Sequence, residues 1–263
     1  MGKRYITSLI LISITFLAVM FYFICGIVVT IFILISLYEF FYMVEKKGVR
    51  LFKSLGIFIG ALIPISIYFK FSVREELQFF LIVIGLFLLF LLELTKKENH
   101  QPILSISATI FGILYISWCF SFIIRIRQLP DGILLVAFLL LITKASDIGA
   151  YFWGVRFGKT YLAKRISPKK SLEGAMGGFL TSLFVGFGFS FSVHSLFFWE
   201  KIFLIIILAV VSQLGDLFES LIKRDCQVKD SGKILPGMGG ILDVIDSIIF
   251  TAPTFYLFLT MMK

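Results

Sequence analysis

Nine apolar segments, most of them close to the length that crosses a lipid bilayer, constrain this 263-residue chain more than any other feature. They run over 6–24, 27–44, 55–69, 77–94, 103–126, 133–157, 174–193, 202–222 and 241–260. A transmembrane helix needs roughly 20 consecutive apolar residues, whereas a membrane β-barrel shows alternating segments of about ten. The pattern therefore predicts an all-α fold, a polytopic transmembrane helical bundle of about nine spans, with a tight turn near Gly26 between the first two.

The composition excludes an ordinary soluble domain. Apolar residues make up 59% of the chain and charged residues only 16%, with a mean hydropathy of +1.00, whereas soluble domains carry roughly a quarter charged residues. The basic start over residues 1–16 is similar to a signal peptide, but no cleavage site of small residues follows it, which predicts a retained membrane anchor. The three cysteines lack metal-ligand spacing, so free thiols are expected.

The positions of the basic residues predict how the chain is oriented in its membrane. With nine spans, the N-terminus and the loops after spans two, four, six and eight hold 18 of the 25 lysines and arginines. The opposite side holds six, and Lys144 lies inside the sixth span. Cytoplasmic loops of membrane proteins carry an excess of lysine and arginine. The bias therefore predicts a multi-pass protein of the cell membrane (inner or plasma), with its N-terminus, its basic loops and its active site facing the cytoplasm.

Residues 1–126 and 127–263 differ in character, although the sequence predicts a single integral membrane domain over 1–263. The first part is an apolar supporting half, and its one notable intramembrane acid, Glu39, is interpreted as a side chain that reaches the interface near a helix end. The second part holds almost all the intramembrane charge and is predicted to be the catalytic half. No nucleic-acid partner is expected, and a homodimer is left open.

Acids in the last two apolar segments need partners, because a charged side chain is costly inside a bilayer. Asp216, Glu219 and Lys223 are spaced three and four apart, so they share one face of a helix. Asp243 and Asp246 are also three apart, near the start of the last segment. Carboxylates near the cytoplasmic ends of two spans predict a pocket with acids at the bottom.

Basic residues and glycines next to these spans are typical of a phosphate site. The loop "SPKKSLEGAMGG" contains Lys169 and Lys170 before one span, and the turn "PGMGG" places Gly239 and Gly240 before another. Magnesium binds carboxylate and phosphate oxygens, lysine and arginine bind the remaining phosphate charge, and glycine turns let backbone N–H groups approach phosphate. The pattern predicts a metal–phosphate site on the cytoplasmic side.

Simpler interpretations stay open for several of these residues. Glu219 can serve only to balance Lys223, and Asp147 can serve only to pair with Lys144. The glycines can form an ordinary turn, and the paired lysines can be anchors of the positive-inside kind. The acids that such interpretations explain least are Asp216, Asp243 and Asp246.

At these residues the sequence resembles the phosphatidate cytidylyltransferases, also called CDP-diacylglycerol synthases. The family signature has a serine, Lys-Arg, Lys-Asp, a Pro-x-His-Gly-Gly turn and Asp-Arg-x-Asp. The matching residues are Ser220, Lys223, Arg224, Lys229, Asp230, Gly232, Pro236, Gly239, Gly240, Asp243 and Asp246. The "SPKKSLEGAMGG" loop and "SDIGAYFWGVRFGK" also resemble family blocks, so the resemblance covers about 100 residues. Met238 and Val244 stand where the family usually has histidine and arginine, which lowers the expected efficiency but not the expected class.

The resemblance implies that CTP and phosphatidic acid react to give CDP-diacylglycerol and pyrophosphate, with Mg²⁺ or Mn²⁺ as the cofactor. The implied catalytic residues are Asp216, Lys223, Arg224, Asp243 and Asp246. The implied metal ligands are Asp216, Asp243 and Asp246, with Asp147 as a further candidate. The implied phosphate-binding residues are Lys169, Lys170, Lys223, Arg224, Lys229, Gly239 and Gly240.

Two other functions stay open from the sequence alone. A CTP-dependent lipid kinase of the polyprenol type would transfer the γ-phosphate and release CDP. An ion-coupled transporter would carry acids near the bilayer middle, often in repeated halves, whereas here the acids cluster near one face and the halves are unlike. The cytidylyltransferase is therefore the function expected.

Overall fold

A computed structural model of the chain describes residues 2–70, 75–95, 101–193 and 196–261. The helices are α1 (Gly2–Met20), α2 (Tyr22–Glu45), α3 (Lys53–Tyr68), α4 (Glu75–Leu94), α5 (Pro102–Gly112), α6 (Cys119–Gln128), α7 (Gly132–Phe157), α8 (Leu172–Ser190), α9 (Phe198–Asp225) and α10 (Leu242–Met261). A π-helical turn, Ile113–Trp118, joins α5 to α6 without a break, so the three form one continuous helical span.

Long apolar helices dominate the part of the chain that the structure describes. Six helical spans there are long and apolar enough to cross a membrane, and three shorter apolar helices coincide with the first, third and fourth predicted segments. The prediction of an all-α, polytopic membrane fold is confirmed. Each of the nine predicted segments overlaps one of these helical spans, with ends that differ by a few residues.

The break between the first two helices lies at Phe21, not near Gly26 as the sequence predicted. Phe21 has an extended backbone, with φ −107° and ψ 117°, while Gly26 is buried inside α2. A Cβ on Gly26 would collide with the Tyr68 ring of α3, and that ring also stacks on Tyr22 with centroids 4.7 Å apart. The glycine therefore permits close helix packing and does not form a turn.

One small β-hairpin, which the sequence did not predict, lies between α7 and α8. Its strands are β1 (Tyr161–Ala163) and β2 (Ser167–Ser171), paired antiparallel with Tyr161 opposite Ser171. The predicted phosphate-binding lysines, Lys169 and Lys170, are adjacent on β2. Successive side chains of a strand point to opposite faces, so the hairpin separates the directions of the two lysines.

The chain packs into two compact units. The first unit contains Met1–Ile124 and Cys226–Val244, and the second contains Arg125–Asp225 and Ile245–Lys263. The first division falls close to the predicted boundary at residue 126, but the segment from 226 to 244 packs with the apolar first unit. The assignment of a single domain with a supporting and a catalytic half stays a prediction.

In the first unit, α2 packs against α3 and the π-helical turn. The buried side chains Ile33, Leu37 and Phe41 of α2 form its apolar core. The Ser117 hydroxyl donates to the Gly60 carbonyl of α3 at 2.5 Å. This contact satisfies a buried hydroxyl and holds the π-helical turn against α3.

In the second unit, glycines bring helix backbones into close contact. A Cβ on Gly178 of α8 would lie 2.7 Å from the Ser146 carbonyl oxygen of α7. A Cβ on Gly215 of α9 would lie 2.9 Å from the Asp246 carbonyl oxygen of α10. Small residues at helix contacts are typical of membrane proteins, where they allow close van der Waals packing. The close approach at Gly215 brings the polar faces of α9 and α10 together.

Candidate functional site

Three carboxylates of the second unit form the centre of the candidate site. Asp216 and Glu219 lie one turn apart on α9, and Asp246 lies on α10. One oxygen from each of the three lies within 4.8 Å of the other two. The i, i+3 spacing aligns the first two, and the absence of a side chain at Gly215 lets α10 approach. We call these three residues the Asp216 cluster.

The Asp216 cluster is largely withdrawn from solvent. The Glu219 side chain is fully buried, Asp246 is 7% exposed, and the Asp216 side chain is 35% exposed. Charged groups that cannot reach water need counter-ions or several hydrogen-bond donors. The partners of each carboxylate therefore determine whether its buried charge is compensated.

Lysines balance two members of the cluster. The Lys170 ammonium group of β2 lies 2.6 Å from Asp216 Oδ2, and Lys223 forms an ion pair with Glu219 Oε2 one turn along α9. The sequence left open whether Glu219 only balances Lys223. The structure shows that Glu219 does pair with Lys223 and also faces two further carboxylates.

A second ion pair lies beside the cluster. Lys144 of α7 contacts Asp147 Oδ2 at 3.0 Å, and the Ser247 hydroxyl donates to the same oxygen at 3.1 Å. The alternative interpretation of Asp147, a pair with Lys144, is thus observed. Lys144 and Asp147 are also charged neighbours of Asp246, so the pair borders the cluster.

Asp246 is the carboxylate that these lysines leave without a direct partner. Its Oδ1 accepts the Ser247 N–H at 2.6 Å. In the part of the chain that the structure describes, no lysine or arginine forms an ion pair with it. Its charged neighbours include two acids, Asp216 and Asp147, and one base, Lys144. A buried carboxylate among acids is costly unless a cation joins it.

The residues of the cluster fit a divalent metal ion. Magnesium prefers carboxylate oxygens and commonly keeps room for water and substrate phosphate, and the partial exposure of Asp216 leaves one side open to such ligands. The Ser212 hydroxyl lies one turn before Asp216 on the same helix face, is fully buried and has no hydrogen-bond partner among the described residues. Excess negative charge and an orphaned hydroxyl on one face are what a bound cation would satisfy.

The other predicted basic residues of the second unit lie outside these ion pairs. Lys169 is exposed on β2. Arg224, at the end of α9, is exposed and donates from Nε to the Ile166 carbonyl at 3.0 Å, which ties the helix end to the hairpin. The structure therefore separates Lys170 and Lys223, which contact the acids, from Lys169 and Arg224, which lie at the solvent side.

Asp243 belongs to the first unit, in a tightly bonded turn. Its Oδ2 accepts the N–H of Gly240 at 2.7 Å and both the N–H and the hydroxyl of Ser231 at 2.9 Å. A metal shared between Asp243 and the acids of the second unit stays a prediction. The same holds for phosphate binding by Lys229, which is exposed in the first unit.

The glycine turn has its N–H groups already in use. Gly237 and Gly239 have φ of +82° and +99°, in the left-handed region that favours glycine. The N–H of Gly239 donates to the Leu235 carbonyl at 3.1 Å, and that of Gly240 donates to Asp243. Phosphate binding by Gly239 and Gly240 therefore stays a prediction, and their N–H groups serve the turn itself in this conformation.

Glu39 is the residue that the sequence interpretation placed wrongly. It is only 3% exposed, so its carboxylate is held inside the protein and is not a solvated side chain. Its Oε1 accepts the N–H of Ile241 at 3.1 Å, and its Oε2 accepts the N–H of Leu242 at 3.0 Å. Oε2 also lies 3.1 Å from the Ser231 hydroxyl, which Glu39 shares with Asp243. The sequence did contain a signal for its role, because an acid within an apolar segment needs hydrogen-bond donors nearby. It contained no signal for the residues that supply those donors, which lie some 200 positions away.

Comparison with known proteins assigns the family. The model of the cytidylyltransferase family matches residues 2–262. The chain belongs to this family. The phosphatidate cytidylyltransferase of Bacillus subtilis is 32% identical over 229 residues, which cover 86% of this chain and 85% of that protein. The resemblance drawn from the sequence motifs is thereby confirmed.

Two other relatives are matched over shorter stretches. The uncharacterized protein YnbB of Escherichia coli is 38% identical over 151 residues, 57% of this chain and 50% of that protein. The phosphatidate cytidylyltransferase of Thermotoga maritima is 37% identical over 170 residues, 62% of this chain and 63% of that protein. The chain thus spans about half to two thirds of these two relatives.

One departure from the family signature is explained by packing in the first unit. Met238 occupies the position that is usually histidine, and the Ser8 hydroxyl of α1 lies 3.6 Å from its sulfur. Thr7, one residue earlier, donates to the Pro236 carbonyl at 3.2 Å. Helix α1 therefore packs on the turn, and methionine supplies an apolar, adaptable contact there. Nothing in the structure explains Val244 in place of arginine.

Proposed function

We propose that this chain is a phosphatidate cytidylyltransferase. In the reaction, a phosphate oxygen of phosphatidic acid attacks the α-phosphorus of CTP. A new P–O bond forms, the bond from the α-phosphorus to the bridging oxygen of the β-phosphate breaks, and pyrophosphate leaves with the electron pair. The lipid product is CDP-diacylglycerol.

The observation that carries this proposal is the Asp216 cluster, with its buried Asp246 and its two lysine partners, in a member of the cytidylyltransferase family. The reaction brings two polyanions together, so the site must supply positive charge. Mg²⁺ or Mn²⁺ bound by Asp216, Glu219 and Asp246 would neutralise charge on the phosphates of both substrates.

Lys170 and Lys223 are proposed to serve the phosphates directly. Each ammonium group now pairs with a cluster carboxylate. With a cation held by those carboxylates, the ammonium groups would be free to bind phosphate oxygens, because they would no longer have to balance the acids. Holding both substrates in line lowers the entropic part of the barrier. Lys169 and Arg224 supply longer-range attraction for CTP from the solvent side.

Membrane placement fits this chemistry. Phosphatidic acid keeps its acyl chains in the bilayer, while CTP arrives from water. The excess of basic residues on one side of the predicted spans supports an active site that faces the cytoplasm. In sealed vesicles, impermeant CTP is expected to be consumed only when the cytoplasmic side faces outward.

Labelled CTP tests the reaction itself. The purified protein is incubated with phosphatidic acid in mixed micelles, with Mg²⁺ and CTP labelled at either the α- or the γ-phosphate. We expect α-label in the extracted lipid and γ-label in pyrophosphate. Transfer of γ-label to a lipid with release of CDP would indicate a lipid kinase. An absence of label in lipid from either CTP would contradict the cytidylyltransferase.

A further inference from the structure

Glu39 makes a buried set of contacts that the proposed reaction does not use. It lies near the end of α2, and its carboxylate receives three donors from a segment about 200 residues later. Two of those donors are the N–H groups of Ile241 and Leu242 at the start of α10. The first N–H groups of a helix lack partners within the helix, so Glu39 acts as its cap from another part of the chain.

The surrounding backbone is shaped around this carboxylate. A Cβ added to Gly232 would lie 2.7 Å from Glu39 Cδ, and one added to Gly240 would lie 2.5 Å from it. Side chains at those two positions would displace the acid, so both glycines are needed for the close approach. The fit on two sides indicates a defined socket for the Glu39 carboxylate.

Ser231 links Glu39 to Asp243. The serine hydroxyl lies 3.1 Å from Glu39 Oε2 and 2.9 Å from Asp243 Oδ2. It has one proton, so it donates to one carboxylate at a time, while its own N–H holds Asp243 at 2.9 Å. Displacing Glu39 therefore changes the bonding of an acid in the family signature.

We propose that Glu39 is a positioning residue for the cytidylyl transfer: it fixes the Pro236–Gly240 turn, Asp243 and the first turn of α10. This rests on the proposed function. Glu39 acts through Ser231 and the backbone, and it has no role in touching substrate.

The negative charge of Glu39 contributes to its proposed positioning role. Backbone N–H groups at a helix start carry partial positive charge, and a carboxylate there is stabilised by them. A glutamine at position 39 keeps the size, but its NH₂ group would oppose one of the N–H donors. An aspartate keeps the charge with a shorter reach. The expected order of kcat is wild type, then Glu39→Asp, then Glu39→Gln.

Kinetics on Glu39→Gln test the proposal, with Glu45→Gln as the matched control. Glu45 lies on the same helix and pairs with Lys53 at 2.5 Å, outside the socket. At equal amounts of folded, monodisperse protein, we expect kcat to fall about tenfold or more in Glu39→Gln, since small misplacements of reacting groups are costly. KM for CTP and for lipid should change less than about threefold, and Glu45→Gln should resemble wild type.

Hydrogen exchange supplies a second readout that does not depend on activity. In Glu39→Gln, the amides of Ile241 and Leu242 should exchange about tenfold faster, because their acceptor is weakened. Glu45→Gln should leave them unchanged. If Glu39→Gln fails to fold, Ser231→Ala removes only the link, and kcat should fall a few-fold with the exchange of the Asp243 region increased.

The outcomes separate this proposal from the proposed function. Wild-type kcat in Glu39→Gln or, where that variant does not fold, in Ser231→Ala would overturn the positioning role. So would a lower folded yield with unchanged kcat per folded molecule, which is what a purely structural acid predicts. A wild-type protein that makes no CDP-diacylglycerol would contradict the proposed function. Unchanged amide exchange at Ile241 and Leu242 in Glu39→Gln would contradict the capping role of Glu39.

Discussion

Two groups of acids in this chain are stabilised in different ways. In the first unit, Glu39 and Asp243 accept hydrogen bonds from backbone N–H groups and from the Ser231 hydroxyl. In the second unit, the Asp216 cluster faces other acids and the ammonium groups of lysines. Fixed N–H donors cannot leave, but a lysine side chain can exchange its partner. The bonding of the first group is therefore suited to holding a shape, and that of the second is suited to an exchange of charged partners.

The difference also concerns what each group gains from a cation. Hydrogen bonds to charged groups contribute about 1.5–3 kcal/mol each, so the acids of the first unit are stabilised without metal. Asp246 has one backbone donor and acidic neighbours. Metal binding should therefore stabilise the second unit far more than the first. Without metal, neutralising an acid should lower the thermal stability of the first unit but not that of the second.

Asp246→Asn should have the largest effect. Loss of a charge from the proposed metal site is expected to lower kcat/KM about 100-fold or more, as is typical for a group that stabilises transition-state charge. Without metal, the same variant should be at least as thermally stable as wild type, because it removes a poorly compensated buried charge. Thermal unfolding with and without Mg²⁺ is the measurement: Mg²⁺ should raise the wild-type Tm and leave that of the variant nearly unchanged. Equal Mg²⁺ stabilisation of both proteins would place the metal elsewhere.

Asp243→Asn should have the next largest effect and sharpens the comparison. The sequence predicts a metal ligand here, so turnover and metal affinity should fall together by about tenfold or more. The hydrogen bonds seen in the first unit indicate a role in the turn, which an asparagine oxygen keeps in part. A Mg²⁺ titration of initial rates distinguishes the two. A fall in kcat at an unchanged Mg²⁺ midpoint would remove Asp243 from the metal ligands.

Lys170→Ala should have a smaller effect, and Lys169→Ala is its matched control. Lys170 contacts Asp216 while Lys169 is exposed. We expect kcat to fall about tenfold for Lys170→Ala, because the lost charge acts on the phosphates in the site. Lys169→Ala should raise KM for CTP about threefold or less, with kcat unchanged, since an exposed charge acts mainly on the rate at which CTP associates. Steady-state kinetics at two salt concentrations check this. Equal losses in both variants would show that the hairpin does not separate the two lysines.

The spans could be predicted from the sequence because apolar length and helical spacing are local properties. For the same reason, the spacing of Asp216, Glu219 and Lys223 was enough to predict that they share one helix face. Sequence spacing did not reveal that Glu219 joins Asp216 and Asp246, since an i, i+4 lysine offered a sufficient explanation. The hairpin at Lys169 was missed because its strands are only three and five residues long.

The errors share one physical cause. Gly26 resembled a turn, because glycine suits both turns and tight helix contacts, and only the Tyr68 ring of α3 distinguishes the two. Glu39 resembled an interfacial acid, because its donors lie 192 to 203 positions further along the chain. Contacts between residues so far apart in the chain leave no periodic pattern in a single sequence. The contact of Glu39 with the segment that contains the glycine turn could therefore not be predicted.

The contact between Glu39 and α10 also has a consequence in time. Helix α2 is synthesised early, but the N–H groups that satisfy its acid belong to residues made 202 and 203 positions later. At about 5–20 residues per second, ribosomes need roughly 10–40 s to supply them. Throughout that interval the Glu39 carboxylate lacks the donors that it has in the folded protein. The first unit is completed only after residues 226–244 have been translated, so a chain that stops before Ser231 leaves Glu39 without the three donors that it has in the folded protein.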